Sequence, residues 1–159
     1  MIIRFCKTAL VAAIALFFTL VALGNLTDYE SNWRFVQHVL SMDTTFPDSA
    51  LHGRAITHPA LQTFCYWLII ATEIIAAGLL WLGVLRLLQS MRNTNFKQAK
   101  TPAVAGLTIG ILLYVVGFII IGGEWFAMWQ SASWNGQEKA FQFAAMITLV
   151  LIVLLLPEE

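Results

Sequence analysis

Leu61–Leu85 reads LQTFCYWLIIATEIIAAGLLWLGVL, 25 residues with one charge, Glu73, at their midpoint. A run this long and apolar crosses a bilayer as a helix, because roughly 20 helical residues cover a hydrocarbon core of about 30 Å. A carboxylate at its centre is penalised by about 2.5–3.5 kcal/mol on insertion scales, so it needs a partner, a proton or a function. Helical spacing places Tyr66, Ile69, Ile70, Ala76, Ala77 and Leu80 on the face of Glu73. The small Ala76 and Ala77 let a neighbouring helix approach closely beside the carboxylate.

Working outward, three further apolar runs are bounded by polar or turn-forming residues: Thr8–Leu26, Ala103–Gly122 and Phe141–Leu156, the last stopped by Pro157. With 59% hydrophobic and 11% charged residues the chain is far from a soluble domain, where charge runs nearer about 25%. The expected fold is all-α: a four-transmembrane-helix bundle forming a single integral membrane domain over residues 1–159. Zero net charge offers no basic surface for nucleic acid. Cys6 and Cys65 begin successive runs and so fall at opposite faces, too far apart for a disulfide.

Six basic residues lie at the N-terminus and in the middle connection (Arg4, Lys7, Arg86, Arg92, Lys97, Lys100), against three in the other two loops (Arg34, Arg54, Lys139). The positive-inside rule then puts both termini in the cytoplasm of a bacterial inner membrane, with the other loops periplasmic. Arg4 and Lys7, an apolar stretch and Ala22-Leu23-Gly24 also fit a cleavable signal peptide. The run of about 19 residues exceeds the usual apolar core of such peptides, roughly 7–15 residues, and favours a retained helix.

Antiparallel spans should have level midpoints, which fall near Phe17, Glu73, Leu113 and Leu149. The nearest polar residues predict an intramembrane cluster of Glu73, Tyr114, Thr19 and Thr148. In the third run Ala103, Gly106, Gly110 and Gly117 fall near one stripe, with Gly106-xxx-Gly110 a close-packing motif, expected to match the small surface at Ala76 and Ala77. Two readings of Glu73 stand: a neutral, hydrogen-bonded carboxyl tying helices together, or a protonation or cation site.

In the first outer loop, residues Asn32–Met42 read as a short helix in the interfacial plane, capped by Ser31 or Asp28. Trp33, Val36, Val39 and Leu40 form its apolar side. His38, Asp43, His52 and His58 match no compact ligand spacing, so no metal is expected. The spans hold no histidine to ligate a haem, and no cofactor is expected. In the second outer loop Trp125, Trp129 and Trp134, with Glu124 and with Trp33 from the first loop, make either an interfacial aromatic belt or a surface for a partner or lipid head group.

The segments NLTDYESNWRFVQHVLSMDTTFP (25–47), HGRAITHPALQTFCYWLIIATE (52–73) and GGEWFAMWQSASWNGQEKAFQF (122–143) resemble domain-of-unknown-function family 2165, predicted small integral membrane proteins of bacteria. The resemblance implies a four-helix inner-membrane protein with a retained first helix. It brings no substrate, cofactor or catalytic residue. No nucleophile–base pair, phosphate loop or dense Cys/His cluster points to an enzyme. The expected function is a non-enzymatic accessory or scaffold subunit that binds membrane lipid, a membrane protein or a second copy through the Trp-rich outer face. The alternative is a small proton-coupled transporter or channel using Glu73.

Overall fold

The computed structural model describes residues 1–93 and 95–157. Among them, four helices are long and apolar enough to cross a membrane: Ile2–Thr27, Pro59–Gln89, Phe96–Trp125 and Gln137–Leu155. The first is α1. It is followed by a shorter helix, α2 (Tyr29–Ser41), and then by α3 (Pro59–Gln89). The third span joins a short α4 (Phe96–Ala99), α5 (Thr101–Leu112) and a π-helical continuation, Leu113–Trp125; α6 (Gln137–Leu155) is the fourth. The architecture is the all-α four-helix bundle expected from hydropathy.

Local chemistry sets the ends of these helices. Pro59 opens α3, where its missing N–H is no loss and its fixed φ suits the first turn. Asp28 (φ −114°, ψ 55°) breaks the helix between α1 and α2. Met42 (φ 54°) closes α2 in the left-handed conformation. The short helix between the first two spans thus starts three residues earlier than the sequence suggests. Asp28 stands at its N-terminal boundary and accepts the Ser31 hydroxyl at 2.9 Å.

α3 packs along both α1 and α5, and α6 closes the ring against α5, its π continuation and α1. The α3–α5 seam is built on glycine. A Cβ on Gly106 would stand 2.8 Å from the Leu80 side chain and 3.1 Å from the Ala76 carbonyl. Gly110 receives the Phe18 ring of α1. Gly83, outside the expected stripe, makes the tightest approach between backbones: its Cβ would meet the Ala103 nitrogen at 2.7 Å. Gly117 departs from expectation, because a Cβ there would meet only Leu113 of its own helix, at 3.7 Å.

The start of α1 and the end of α6 lie at one end of the bundle, and buried lysines close it. Lys7 donates to the carbonyls of Leu156 and, at 3.4 Å, Pro157; Lys100 reaches Leu156 O at 3.4 Å. These carbonyls lie just past the C-terminal end of α6, where backbone acceptors lack intrahelical partners and the helix dipole favours cations. Lys7→Met keeps the stem and removes the donors. It is expected to lower stability by about 1–3 kcal/mol, measured as a fall in the thermal unfolding midpoint in detergent.

Arg4 of α1 donates to the Met91 and Asn93 carbonyls at 3.0 and 2.8 Å, beyond the end of α3. These anchors draw α1 toward the basic end, so its other end stops short. The N-terminal part of α3 extends beyond that point, and α2 folds back to cover Tyr66 and Ile70. Val36, Val39, Leu40 and Met42 form a second small core there with Tyr66, Ile70, Phe126 and Met128.

Candidate functional site at the loop end

Glu73 is buried, with 3% of its surface exposed, and its Oε2 accepts a hydrogen bond of 2.7 Å from Asn25 Nδ2. Asn25 also accepts the Tyr66 hydroxyl, at 3.1 Å on its backbone oxygen and 3.4 Å on Oδ1. Tyr66 is one turn short of Ile70 and two from Glu73 on the inward face of α3, as helical spacing requires. The ring of Tyr29 meets Tyr66 edge-on at 4.9 Å and that of Trp33 lies 6.3 Å away, so the start of α2 roofs the group.

The expected neighbours of Glu73 are distributed differently. Thr19 donates to Ala15 O at 2.8 Å and accepts the Trp81 indole N–H at 3.0 Å. That contact lies eight residues along α3 from Glu73, about 12 Å at 1.5 Å per residue. The register of α1 against α3 makes the correction: Glu73 is level with Asn25, two residues from the end of α1, where midpoint matching had placed Thr19. Tyr114 does come level with Glu73, because the register seating Gly106 on Leu80 sets Leu113 and Tyr114 opposite it. Its ring packs among Phe143, Phe118, Phe18 and Phe17, with centroids 5.2–6.4 Å away. Among the described residues no hydrogen bond joins Glu73 to Tyr114, Thr19 or Thr148. Asn25 was legible only as a polar residue at the margin of the first run.

Immediately above this level the bundle opens. From Leu113 the backbone of the third span changes to i→i+5 hydrogen bonding, ending with Phe126 N–H on Ile121 O at 3.0 Å. π-helical turns are rare and concentrate at functional sites. Between this segment, α3 and α2 lies a cavity of about 490 Å³. Val36 and Leu40 of α2, Leu68 and Ile69 of α3, and Gly117 and Trp125 of the π segment are among its walls, and no charged, hydroxyl or amide side chain lines it. Gly117 is therefore a wall of this crevice, which its missing side chain leaves open. The volume falls within the roughly 300–1,000 Å³ of small-molecule sites.

The tryptophans divide into two groups. Trp33 is half-buried against Tyr66, and Trp134 is half-buried, stacked on His38 at 4.6 Å. Trp125 and Trp129 stay 54% and 48% exposed. The Arg54 guanidinium lies 4.6 Å over the Trp125 ring, and Phe46 meets Trp129 edge-on at 5.9 Å. Glu124 is exposed and accepts from Gln137 Nε2 at 3.4 Å. His38 pairs with Asp43 at 2.8 Å while His52 bonds Thr45 at 2.9 Å, so these histidines take separate partners.

A family model described as predicted small integral membrane protein (DUF2165) matches residues 3–157. The chain belongs to this family. The match runs through all four apolar helices and the segments that join them, so Glu73, the crevice and the exposed tryptophans all lie within the DUF2165 domain. No curated protein and no solved structure matches the chain.

Proposed function

We propose that this DUF2165 protein is a non-enzymatic accessory protein of the bacterial inner membrane, with both termini cytoplasmic, that holds a membrane lipid or membrane-protein partner at its periplasmic face. The observation that carries this reading is the apolar crevice with the exposed Trp125 on its wall, and a second exposed tryptophan, Trp129, four residues further along the chain. Large aromatic side chains left open around a concave apolar surface are the usual anchors of recognition. The orientation rests on the six basic residues at the end with the termini against three at the other.

Purification in mild detergent, followed by identification of bound proteins and lipids and of the assembly's mass, tests the proposal. Wild type is expected to carry a specific component that Trp125→Ala/Trp129→Ala loses. A lone, ligand-free monomer would count against it.

The competing reading is proton-coupled transport through Glu73, favoured by the burial of that carboxylate. Against it, Glu73 is the one charged residue between Lys7 and Asp28, Arg54 and Arg86, Lys100 and Glu124, or Lys139 and Glu158. A pathway for protons ordinarily needs more than one such group. Glu73→Gln keeps the acceptor for Asn25 and removes the charge; loss of proton-driven solute flux in vesicles, with assembly intact, would establish transport instead.

A further inference from the structure

The chemistry of the crevice narrows what it can hold. Its walls offer no charged, hydroxyl or amide side chain; the Trp125 indole N–H and the Cys65 thiol are their only polar side-chain groups. A peptide inserted there would leave its own N–H and C=O groups unsatisfied, each at substantial cost away from water. A hydrocarbon chain carries no such groups. Position agrees: the inner end, at Gly117 and Ile69, lies one turn above Glu73, within the spans, and the rim is Trp125, the last residue of the third span. Leu68 and Ile121, both on the crevice wall, are 56% and 45% exposed, so the crevice also opens sideways, toward lipid.

A cation stands at the rim. Arg54 is held over Trp125 by ring stacking and by Nη1, which donates to the Trp125 and Glu124 carbonyls at 3.1 and 3.5 Å. A guanidinium has five N–H donors in a planar fork, and these bonds use Nη1 alone among the described residues. Arg54 has no carboxylate partner among the described residues; the nearby Glu124 carboxylate is turned to Gln137. The remaining Nε and Nη2 donors suit two oxygens of one phosphate. Apolar slot and phosphate-binding cation are thus adjacent, in the order in which a phospholipid presents its chain and head group.

We infer that the crevice holds one acyl chain of an outer-leaflet phospholipid whose phosphate is bound by Arg54. This deepens the accessory reading by naming the component held. The test is native mass spectrometry of the full chain in detergent titrated with phosphatidylglycerol, with wild type, Gly117→Leu and Arg54→Gln compared. Wild type is expected to retain one phospholipid. Gly117→Leu, whose added side chain enters the crevice without meeting backbone, is expected to weaken binding at least about tenfold, and Arg54→Gln about tenfold, with Arg54→Lys recovering part. Phosphatidylglycerol bearing a photoreactive group on its chain gives a readout independent of variant folding: labelling is expected on Gly117–Phe118 and Leu68–Ile69. No retained phospholipid, unchanged binding in Gly117→Leu, or labelling confined to other surfaces would overturn the inference. Unchanged affinity in Arg54→Gln would overturn the phosphate contact. Capture of a protein through Trp125 and Trp129 without retained lipid would overturn this inference and leave the accessory reading standing.

Discussion

Asn25→Leu is expected to destabilise the protein by about 3 kcal/mol, more than its size suggests, because it strands a buried carboxyl group. Asn25 Nδ2 is the donor to Glu73 Oε2 at 2.7 Å, and Asn25 Oδ1 also lies 3.4 Å from the Tyr66 hydroxyl. Removing one partner of a buried polar pair costs the full desolvation of the other, roughly 1–3 kcal/mol and more where the group is charged. Tyr66 keeps its bond to the Asn25 backbone oxygen, so the loss concentrates on Glu73. Glu73→Gln retains an acceptor and is expected to cost less than about 1 kcal/mol. Glu73→Leu strands the Asn25 amide and should fall between the two. The double variant Asn25→Leu/Glu73→Leu removes both polar groups and should recover most of the loss, as replacing a complete buried pair by apolar groups often does. Thermal and denaturant unfolding in detergent measure all four. Additive single and double variants would show that the contact does not couple α1 to α3.

The same pair shows where the sequence was sufficient and where it was not. Hydropathy located four spans because burial in lipid needs long apolar runs, and the period of Trp33, Val36, Val39 and Leu40 located α2. Depth matching puts Thr19 beside Glu73, whereas the structure puts Asn25 there, for an identifiable reason. Midpoints align when the spans are trimmed alike, but Arg4 binds the Met91 and Asn93 carbonyls and draws α1 along the bundle. Thr19 then meets Trp81, and Asn25 takes the place beside Glu73. The crevice had no sequence signal of its own. It depends on a π-helical stretch that periodicity cannot separate from an α-helix in a uniformly apolar run, and on α2 folding back over α3. Gly117 was visible as a small residue, but small residues serve equally to admit a neighbouring helix or to leave a space. Gly83 carries no such signal, because its partner, Ala103, is small and the contact reaches the backbone, which no side-chain pattern announces.

Gly83→Leu is therefore expected to be among the most disruptive substitutions in the spans, at about 3 kcal/mol or more. A Cβ at this position would lie 2.7 Å from both the Ala103 nitrogen and its Cβ, and 2.8 Å from its Cα. Overpacking a well-filled interface usually costs about 1–3 kcal/mol because side chains shift; here the obstacle is backbone, so α3 and α5 must separate. In lipid that separation is not offset by a hydrophobic term, since helix association there rests on close van der Waals packing. Gly78, on the same helix, supplies the control. It is exposed and nothing lies within 4 Å of its added Cβ, so Gly78→Leu should be neutral or stabilising by up to about 1 kcal/mol from helix propensity. Unfolding midpoints in detergent decide between them, and equal effects at the two sites would refute the backbone contact. The pair also separates packing from binding. Gly83 is fourteen residues from Ile69 on α3, about 21 Å along the helix, too far to touch a chain in the crevice. Yet α3 and the π continuation of α5 are two of the crevice walls, and prising them apart at Gly83 alters their spacing at Gly117. Gly83→Leu should lose retained phospholipid together with stability, whereas Gly117→Leu should lose phospholipid alone.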